Sequence, residues 1–151
     1  MHRIANYCGL ISLAYLLSAC VPAHHNKASA PLVGTSWELM SIQSMDDATG
    51  TTHISEPAYY VLTFGRDGRA SFRLNCNRAT GDWSAQPGRG DSGQLAFGPL
   101  AATKALCLPP SEDERVARDM AYVRSYLLRE GQLHMSLYAD GGIYTWRRSG
   151  R

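Results

Sequence analysis

The sequence has little excess charge of either sign. Its 151 residues carry 15 Lys and Arg side chains against 13 Asp and Glu, a formal net charge of +2. Proteins dedicated to binding polynucleotides present a strongly basic face, so the composition argues against a nucleic-acid partner. With 44% hydrophobic residues, the chain is too apolar for a disordered tail and too short for a large multidomain enzyme. It predicts one domain with one modest core.

The chain also lacks the short motifs that mark common chemistries. It contains no phosphate-binding loop, no zinc signature and no Cys-x-x-Cys pair, so it predicts no catalytic residues, no cofactor and no metal. His24 and His25 are adjacent, but they have no further ligands nearby, which is more typical of solvated polar residues than of a metal pair. The sequence therefore predicts a protein that is not an enzyme.

The N-terminus has the order of features of an exported lipoprotein. After Arg3, an uncharged apolar stretch, too short to span a bilayer well, leads into Leu17-Ser18-Ala19-Cys20. This tetrapeptide resembles the bacterial lipobox, in which a signal peptidase cuts before a cysteine that carries a diacylglyceryl group. Acylated Cys20 would begin the mature chain and hold it to the membrane through lipid. The alternative is an ordinary signal peptide with a chance cysteine.

These features divide the chain into three parts. Residues 1–19 form the predicted signal peptide, residues 20–31 a flexible lipidated tether, and residues 32–151 the folded domain. Val21 stands where an Asp would resemble the inner-membrane retention signal of such lipoproteins, which in a Gram-negative source implies the outer membrane. We therefore expect a cell-envelope lipoprotein that faces the periplasm.

Four cysteines become two once the signal peptide is cleaved and Cys20 is acylated. Beyond the inner membrane the compartment is oxidising, so Cys76 and Cys107, which are 31 residues apart, are predicted to form a structural disulfide. The alternative is a thiol nucleophile at Cys76 with His53 or His134 as its base. The oxidising compartment favours the disulfide.

Alternation of polar and apolar residues predicts a chain that is mostly β. The clearest hairpin joins residues 59–64 to residues 70–74 through the turn Asp67-Gly68. Further strands are predicted at residues 36–42, 82–84, 95–97, 133–137 and 143–147. Polar and glycine-rich segments predict loops at Ser44–Pro57, around Asn75–Gly81 and at Gly88–Gly93.

One helix is predicted after Pro109-Pro110. Ser111 stands at the capping position, and Glu114 follows three residues later. Apolar residues then repeat at helical spacing at Val116, Met120, Val123 and Leu127. Gly131 ends the pattern with a residue that tolerates left-handed backbone. The pattern predicts a helix over residues 111–130 that packs its apolar stripe on the sheet.

The order of several motifs resembles the META domain family. The most specific are the Cys76-Asn77 step and the run Phe97-Gly98-Pro99-Leu100-Ala101-Ala102-Thr103, and the resemblance extends from about Leu32 to Arg147. It implies an α+β, mostly β fold: a strongly curved antiparallel sheet, or partial barrel, with one helix packed against it. The family usually places Gly directly before Cys-Asn and again three residues earlier, where this chain has Asn75 and Phe72. Asn tolerates left-handed backbone, whereas Phe72 fits such a position poorly.

A polar cluster surrounds Cys76. Asn75, Asn77 and Arg78, together with Trp83 further along the chain, form a candidate binding surface beside the disulfide. The alternative is that the turn residues satisfy their own backbone and that Trp83 belongs to the core. The sequence leaves both interpretations open.

Three classes of function compete. Members of the META domain family include heat-shock-associated bacterial envelope lipoproteins, so the resemblance implies a non-enzymatic role in stress or drug tolerance. We expect the curved sheet to hold an envelope protein or a small ligand on its concave face. The main alternative is an inhibitor of a secreted enzyme such as lysozyme or a protease, which needs a rigid protruding loop, and Gly88–Gly93 looks too flexible. A hydrolase would need a nucleophile, a base and an orienting group that the sequence does not offer.

Overall fold

The computed structural model describes residues 31–139 and 141–150. The predicted signal peptide, Cys20, and residues 20–30 of the predicted tether lie outside these residues. The strands are β1 Ser36–Gln43, β2 Thr51–His53, β3 Tyr60–Phe64, β4 Arg69–Leu74, β5 Asn77–Pro87, β6 Ser92–Phe97, β7 Ala101–Ala102, β8 Val123–Arg129, β9 Gln132–Leu137 and β10 Ile143–Arg148. One helix, α1, spans Asp113–Asp119, and short 3-10 turns lie at Pro57–Tyr59 and Met120–Tyr122.

The sheet is antiparallel and closes on itself. Its strands follow the order β10-β9-β8-β6-β5-β4-β3-β1, and β1 also pairs with β10, from Trp37 opposite Arg148 to Gln43 opposite Ile143. Eight strands therefore form a closed barrel, while β2 extends beside β1 and β7 beside β5. The predicted mostly β fold, with a curved antiparallel sheet and one helix, is confirmed. Closure goes beyond the expected partial barrel, and it leaves no free edge along the eight strands.

Turn residues with left-handed backbone set two of the hairpins. Asp67-Gly68 joins β3 to β4 as predicted, with Phe64 opposite Ala70 and Gly68 at φ 81°. Gly131 forms a left-handed pair with Glu130, at φ 74° and 52°. This pair links β8 to β9, because two consecutive left-handed residues match the twist of a two-residue hairpin. Gly131 therefore turns a hairpin and does not end a helix.

The inward face of the barrel is filled by side chains. The ring centroid of Phe64 lies 4.7 Å from that of Trp83 and 6.0 Å from that of Phe97. The four bulkiest of the fully buried side chains are Trp37, Trp146, Tyr144 and Phe64. Small barrels are commonly packed in this way. The concave face of the sheet is therefore the core, and it is not the binding surface that was expected there.

The predicted long helix is wrong over most of its length. Helix α1 ends at Asp119, a 3-10 turn follows, and the chain continues as strand β8 from Val123. The helical spacing correctly predicts burial of Val116 and Met120, both 0% exposed. Val123 is also buried, but it and Leu127 belong to a strand, so the predicted helix is wrong from Val123 onward.

Sheet pairing explains this difference. Strand β8 pairs with β6 and β9, and its β-branched and aromatic residues suit a pleated surface. Tyr126, which the helical stripe omits, is 2% exposed, whereas Leu127, which the stripe includes, is 41% exposed. The predicted cap is also wrong: the residue before α1 is Glu112, without a side-chain cap bond, and the Ser111 hydroxyl donates instead to the Asp113 side chain.

Three predicted loops are shorter than expected. Strand β5 passes without a break through Gly81, β2 lies within Ser44–Pro57, and β6 begins at Ser92, which reduces the Gly88–Gly93 loop to residues 88–91. Gly81 has a packing role, because an added Cβ would lie 2.6 Å from Leu100 Cδ2. Glycine in this strand permits a close approach of neighbouring chain and does not mark a turn.

Candidate functional site

The predicted disulfide is present. Cys76, in the turn between β4 and β5, is bonded to Cys107, in the connection between β7 and α1. This bond ties two segments separated by 31 residues to the same end of the barrel. Cys76 has no free thiol in this structure, so it does not act as a nucleophile with His53 or His134. The Nδ1 atom of His134 lies 3.1 Å from Thr145 Oγ1 instead.

Asn77, the first residue of β5, is buried and uses both ends of its amide. Its Nδ2 donates to the Ala105 carbonyl at 2.8 Å and to Asp113 Oδ2 at 2.7 Å. Its Oδ1 accepts hydrogen bonds from the Ala105 N–H and the Thr103 hydroxyl, both at 2.8 Å. A primary amide has two donor hydrogens and two acceptor lone pairs, so this side chain is fully satisfied. It holds both backbone groups of Ala105 and the first residue of α1.

Asp113 stands at the centre of a second set of hydrogen bonds. Its Oδ1 accepts a hydrogen bond from Ser111 Oγ at 2.6 Å, and Asn75 Nδ2 donates to the same hydroxyl at 2.9 Å. Burial by itself raises the pKa of Asp113, but hydrogen bonds from Ser111, Asn77 and the backbone N–H groups of Asp113 and Glu114 outweigh it and hold the pKa below its ordinary value. The carboxylate is therefore ionised at neutral pH. The Asn77 network is the set Asn75, Asn77, Thr103, Ser111 and Asp113.

The structure separates the four residues of the predicted binding surface. Trp83 is 9% exposed within the core, and Asn77 is 3% exposed within the Asn77 network, where it lines a cleft described below. Trp83 therefore lies in the core and not on a binding surface, while Asn77 is a buried residue of the cleft wall. Asn75 is half-buried and faces Ser111, and only Arg78 is exposed. The alternative of purely local turn bonds is also wrong for Asn77, because its partners lie 26 to 36 residues away in sequence.

The two departures from the family's glycine pattern have different outcomes. Asn75 adopts φ 56°, the left-handed conformation that Asn tolerates. Phe72 is a buried residue in the middle of β4 and does not have a positive φ. The expected misfit of Phe72 does not arise, because its position is ordinary extended backbone.

The two most specific sequence motifs meet at the Asn77 network. Thr103 ends the run that begins at Phe97, and its hydroxyl donates to Asn77 of the Cys76-Asn77 step. The Thr103 N–H also donates to the Arg78 carbonyl at 2.9 Å. These bonds fix the path of the chain between β6 and α1. The motifs therefore stabilise the fold, and they position the surface beside the Asn77 network.

A cleft of about 530 Å³ opens beside the network, between α1 and the segment around β7. Its lining residues are Leu74, Asn77, Leu100, Ala102, Thr103, Lys104, Asp113, Glu114, Ala117, Arg118 and Ala121. Small-molecule sites have volumes of about 300 to 1,000 Å³, so this one is of ligand size. We call it the α1 cleft. The cleft is not predictable from the sequence, because one wall is formed by α1 and the turn after it, and the helical pattern continues past that point.

A second feature beside the network is the loop of residues 104–110. It has no regular secondary structure, and Leu106 and Leu108 are 100% and 86% exposed. The disulfide at Cys107 and the two bonds from Asn77 to Ala105 hold it from beneath. The loop therefore protrudes from the barrel and is anchored at Ala105 and Cys107. No local pattern distinguishes a protruding leucine from a buried one, so the sequence did not indicate it.

A further polar contact joins strand β10 to helix α1. The Tyr144 hydroxyl is buried, which raises its pKa far above the usual range, and it donates to Asp119 Oδ2 at 2.8 Å. Within residues 31–139 and 141–150, no group of three or more His, Cys, Asp or Glu side chains is placed to hold a metal ion. In the same part of the chain, the helices are too short or too polar to cross a membrane.

Three comparisons with known proteins bear on fold and family. The family model of the META domain matches residues 30–149. An NMR structure of a protein from Burkholderia xenovorans matches 93% of this chain and 100% of its own, with a TM-score of 0.63 and 23% identity. A crystal structure of a DUF4847 family protein from Bacteroides vulgatus matches 80% of this chain and 96% of its own, with a TM-score of 0.53 and 10% identity. These identities support the fold alone, and no curated protein matches the chain.

Proposed function

The chain belongs to the META domain family, and on that premise we propose that it is a lipid-anchored envelope protein whose domain binds a small, largely apolar molecule in the α1 cleft without transforming it. The α1 cleft carries the proposal. It is a concave, partly apolar surface of ligand size on a barrel whose interior is filled. Such binding would contribute to stress or drug tolerance by holding the molecule away from its target.

The charges on the rim indicate what the polar part of the ligand meets. Arg118 is already within 3.1 Å of Asp119, and Asp113 is engaged in the Asn77 network. Lys104 and Glu114 are therefore the rim charges best placed to meet polar groups on the ligand. Leu74, Leu100 and three alanines supply the apolar lining. We infer a ligand with an apolar body and polar substituents at one side.

The walls of the α1 cleft are fixed before a ligand arrives. The wall around β7 is bonded through Thr103 to Arg78 and Asn77. The opposite wall, α1, is held at its first residue by the bond from Asn77 to Asp113. A preformed site loses less conformational entropy on binding than a flexible one.

The absence of catalysis is part of this proposal. The META domain is not a known enzyme family. Asp113 is the buried carboxylate beside the α1 cleft, and its lowered pKa leaves it without a proton to donate at neutral pH. Cys76 and Cys107 are bonded to each other, so neither is a thiolate nucleophile.

We expect the mature protein to begin at lipid-modified Cys20. The support is the order of apolar segment, Leu17-Ser18-Ala19-Cys20 and tether, all outside the described residues. Mass spectrometry of the N-terminal peptide from the membrane fraction should find an acylated cysteine, and Cys20→Ser should release the protein from that fraction. Cys8→Ser makes the same exchange inside the predicted signal peptide and should leave fractionation unchanged. An unmodified mature N-terminus would contradict the lipid anchor.

Filling the α1 cleft should weaken ligand binding. We expect the dye ANS, a reporter of exposed apolar sites, to bind the folded, unlipidated protein. Ala102→Trp places an indole on an exposed wall of the cleft, and it should lower the affinity by at least about tenfold, which corresponds to ~1.4 kcal/mol. Fluorescence titration at neutral pH measures the effect.

Ala48→Trp is the matched control for this experiment. Ala48 is exposed in the turn between β1 and β2, and it is not among the residues that line the cleft. Both variants should keep the unfolding midpoint of the native protein, because ANS also binds partly unfolded chains. If the native protein binds no dye, or if both tryptophans weaken binding equally, the α1 cleft is not the binding site.

A further inference from the structure

We propose that the loop of residues 104–110 binds a serine protease of apolar specificity, with Leu106 entering the protease's primary pocket, and that the loop inhibits that enzyme. The inference concerns the tip of the loop around Leu106, which is not among the residues that line the α1 cleft, although Lys104 borders both. Its test measures protease inhibition, so its outcome is distinguishable from that of the ANS titration. Two observations carry it: the exposure of Leu106 and the anchoring of the backbone beneath it.

Two leucine side chains of the loop are almost fully exposed to solvent. Leu106 is 100% exposed and Leu108 is 86% exposed, against 64% for Tyr138, the next most exposed large hydrophobic residue of the described part. Burying one leucine is worth about 1.5 to 3 kcal/mol. A partner that buries these two side chains would gain this energy on binding. Because these side chains protrude, the matching cavity belongs to the partner.

The backbone on either side of Leu106 is anchored to adjacent residues of the barrel. Ala105 is bonded through its N–H and its carbonyl to Asn77, each at 2.8 Å. Cys107 is bonded to Cys76, the neighbour of Asn77. The loop is therefore ordered before it meets a partner, which reduces the entropy lost on binding.

The same anchors explain why the loop would inhibit a protease and would not act as an ordinary substrate. Hydrolysis of the Leu106–Cys107 peptide bond would consume one water and leave a carboxylate on Leu106 and an amine on Cys107. Both new ends would remain attached, one through Ala105 to Asn77 and the other through the disulfide to Cys76. Because the fragments stay in place, the protease releases them slowly and the bond can reform.

We place Leu106, and not Leu108, in the primary pocket of the protease because of the residue that follows each leucine. Pro109 follows Leu108, and its ring nitrogen has no N–H and crowds the bond that a protease would attack. An ordinary amide follows Leu106. A leucine side chain fits the hydrophobic slot of a chymotrypsin-like enzyme, and it does not match the aspartate-containing pocket of a trypsin-like one.

The loop and the start of the domain lie at opposite ends of strand β3. The Gly34 N–H, near the start of the domain, donates to the carbonyl of Phe64, the last residue of β3. Directly after the loop, the Glu112 N–H donates to the hydroxyl of Tyr60, the first residue of β3. A strand rises about 3.3 Å per residue, so roughly 13 Å of barrel separates the two ends.

The test measures inhibition of chymotrypsin and trypsin by the oxidised, unlipidated mature protein. The native protein should inhibit chymotrypsin stoichiometrically and leave trypsin active. Leu106→Arg should weaken chymotrypsin inhibition by at least about a hundredfold and create inhibition of trypsin, because a guanidinium suits the trypsin pocket. Leu108→Arg is the matched control: it adds the same charge two residues away and should change chymotrypsin inhibition by less than about threefold.

Several outcomes would overturn the proposal. These are no inhibition of chymotrypsin at stoichiometric concentration, rapid cleavage of the loop without inhibition, and inhibition that survives Leu106→Arg. Lysozyme inhibition, or binding to phosphatidylglycerol vesicles, that is lost in Leu106→Arg while chymotrypsin stays active would assign Leu106 to a different partner and would also overturn it. Thermal unfolding should be the same for both arginine variants and the native protein, because both leucines are exposed.

Discussion

Asn77→Ala should lower the free energy of unfolding by about 3 to 5 kcal/mol. The substitution removes the partner of the Ala105 N–H and carbonyl, of the Thr103 hydroxyl and of Asp113 Oδ2. A buried polar group left without a partner costs about 1 to 3 kcal/mol, and more when it is charged. Some of these groups would recover a bond from water, which keeps the expected loss below the full sum. Urea unfolding of the oxidised, unlipidated protein measures it.

Asn75→Gly is the control for this substitution. It removes an amide one position before the bridged Cys76, deletes a single bond to Ser111, and keeps a residue that accepts φ 56°. We expect a loss of about 1 kcal/mol or less. If Asn77→Ala is no more destabilising than Asn75→Gly, the Asn77 network does not hold the connection between β6 and α1. A native-like stability with loss of ANS binding would instead confine the role of Asn77 to the cleft wall.

Elements governed by local chemistry were predictable from the sequence. The hairpin at Asp67-Gly68 follows from turn residues that accept left-handed backbone, between two segments with period-two alternation. The disulfide between Cys76 and Cys107 followed from counting cysteines, on the expectation that the domain lies in an oxidising compartment. Both inferences use information contained within a short segment or in composition, and both are confirmed.

Elements that depend on pairing between distant segments were not predictable from the sequence. The spacing of Val116, Met120, Val123 and Leu127 fits a helix as far as Met120, and nothing within the segment shows where sheet pairing takes over. Strand β8 exists because β6 and β9 lie on either side of it. The error had a consequence for the candidate site, because α1 and the turn that follows it form one wall of the α1 cleft. With the helix boundary wrongly predicted, the α1 cleft cannot be located from the sequence.

The role of Asn77 could be recognised as important from the motif, but its contacts could not be derived. Its partners Thr103, Ala105 and Asp113 lie 26, 28 and 36 residues away in sequence. The exposure of Leu106 is equally non-local, because it depends on the path that Asn77 and the disulfide impose on the loop. Residues that position a surface can be recognised as sequence motifs, whereas the shape and exposure of that surface can be determined only from the fold.

Removing the disulfide should lower the free energy of unfolding by about 3 to 4 kcal/mol. The bond joins residues 31 apart, and a cross-link across a loop of this length restricts the unfolded chain by about that amount. The variant Cys76→Ser with Cys107→Ser, compared with the native protein in urea, measures the loss. Reduction of the native protein with a thiol reagent should give the same midpoint. An unchanged midpoint in both would show that the bridge does not stabilise the domain.

The same variant separates stabilisation of the fold from anchoring of the loop. Asn77 still binds Ala105 when the bridge is absent, so we expect the barrel and ANS binding to persist under native conditions. The loop would lose its anchor on the Cys107 side, so chymotrypsin should cleave it after Leu106 and the fragment end should leave. Adding Asn77→Ala should then cost less than in the native protein, by at least about 0.5 kcal/mol, because without the bridge the bonds from Asn77 hold a more mobile segment and each contributes less. Strict additivity would mean that the two anchors act on independent parts of the chain.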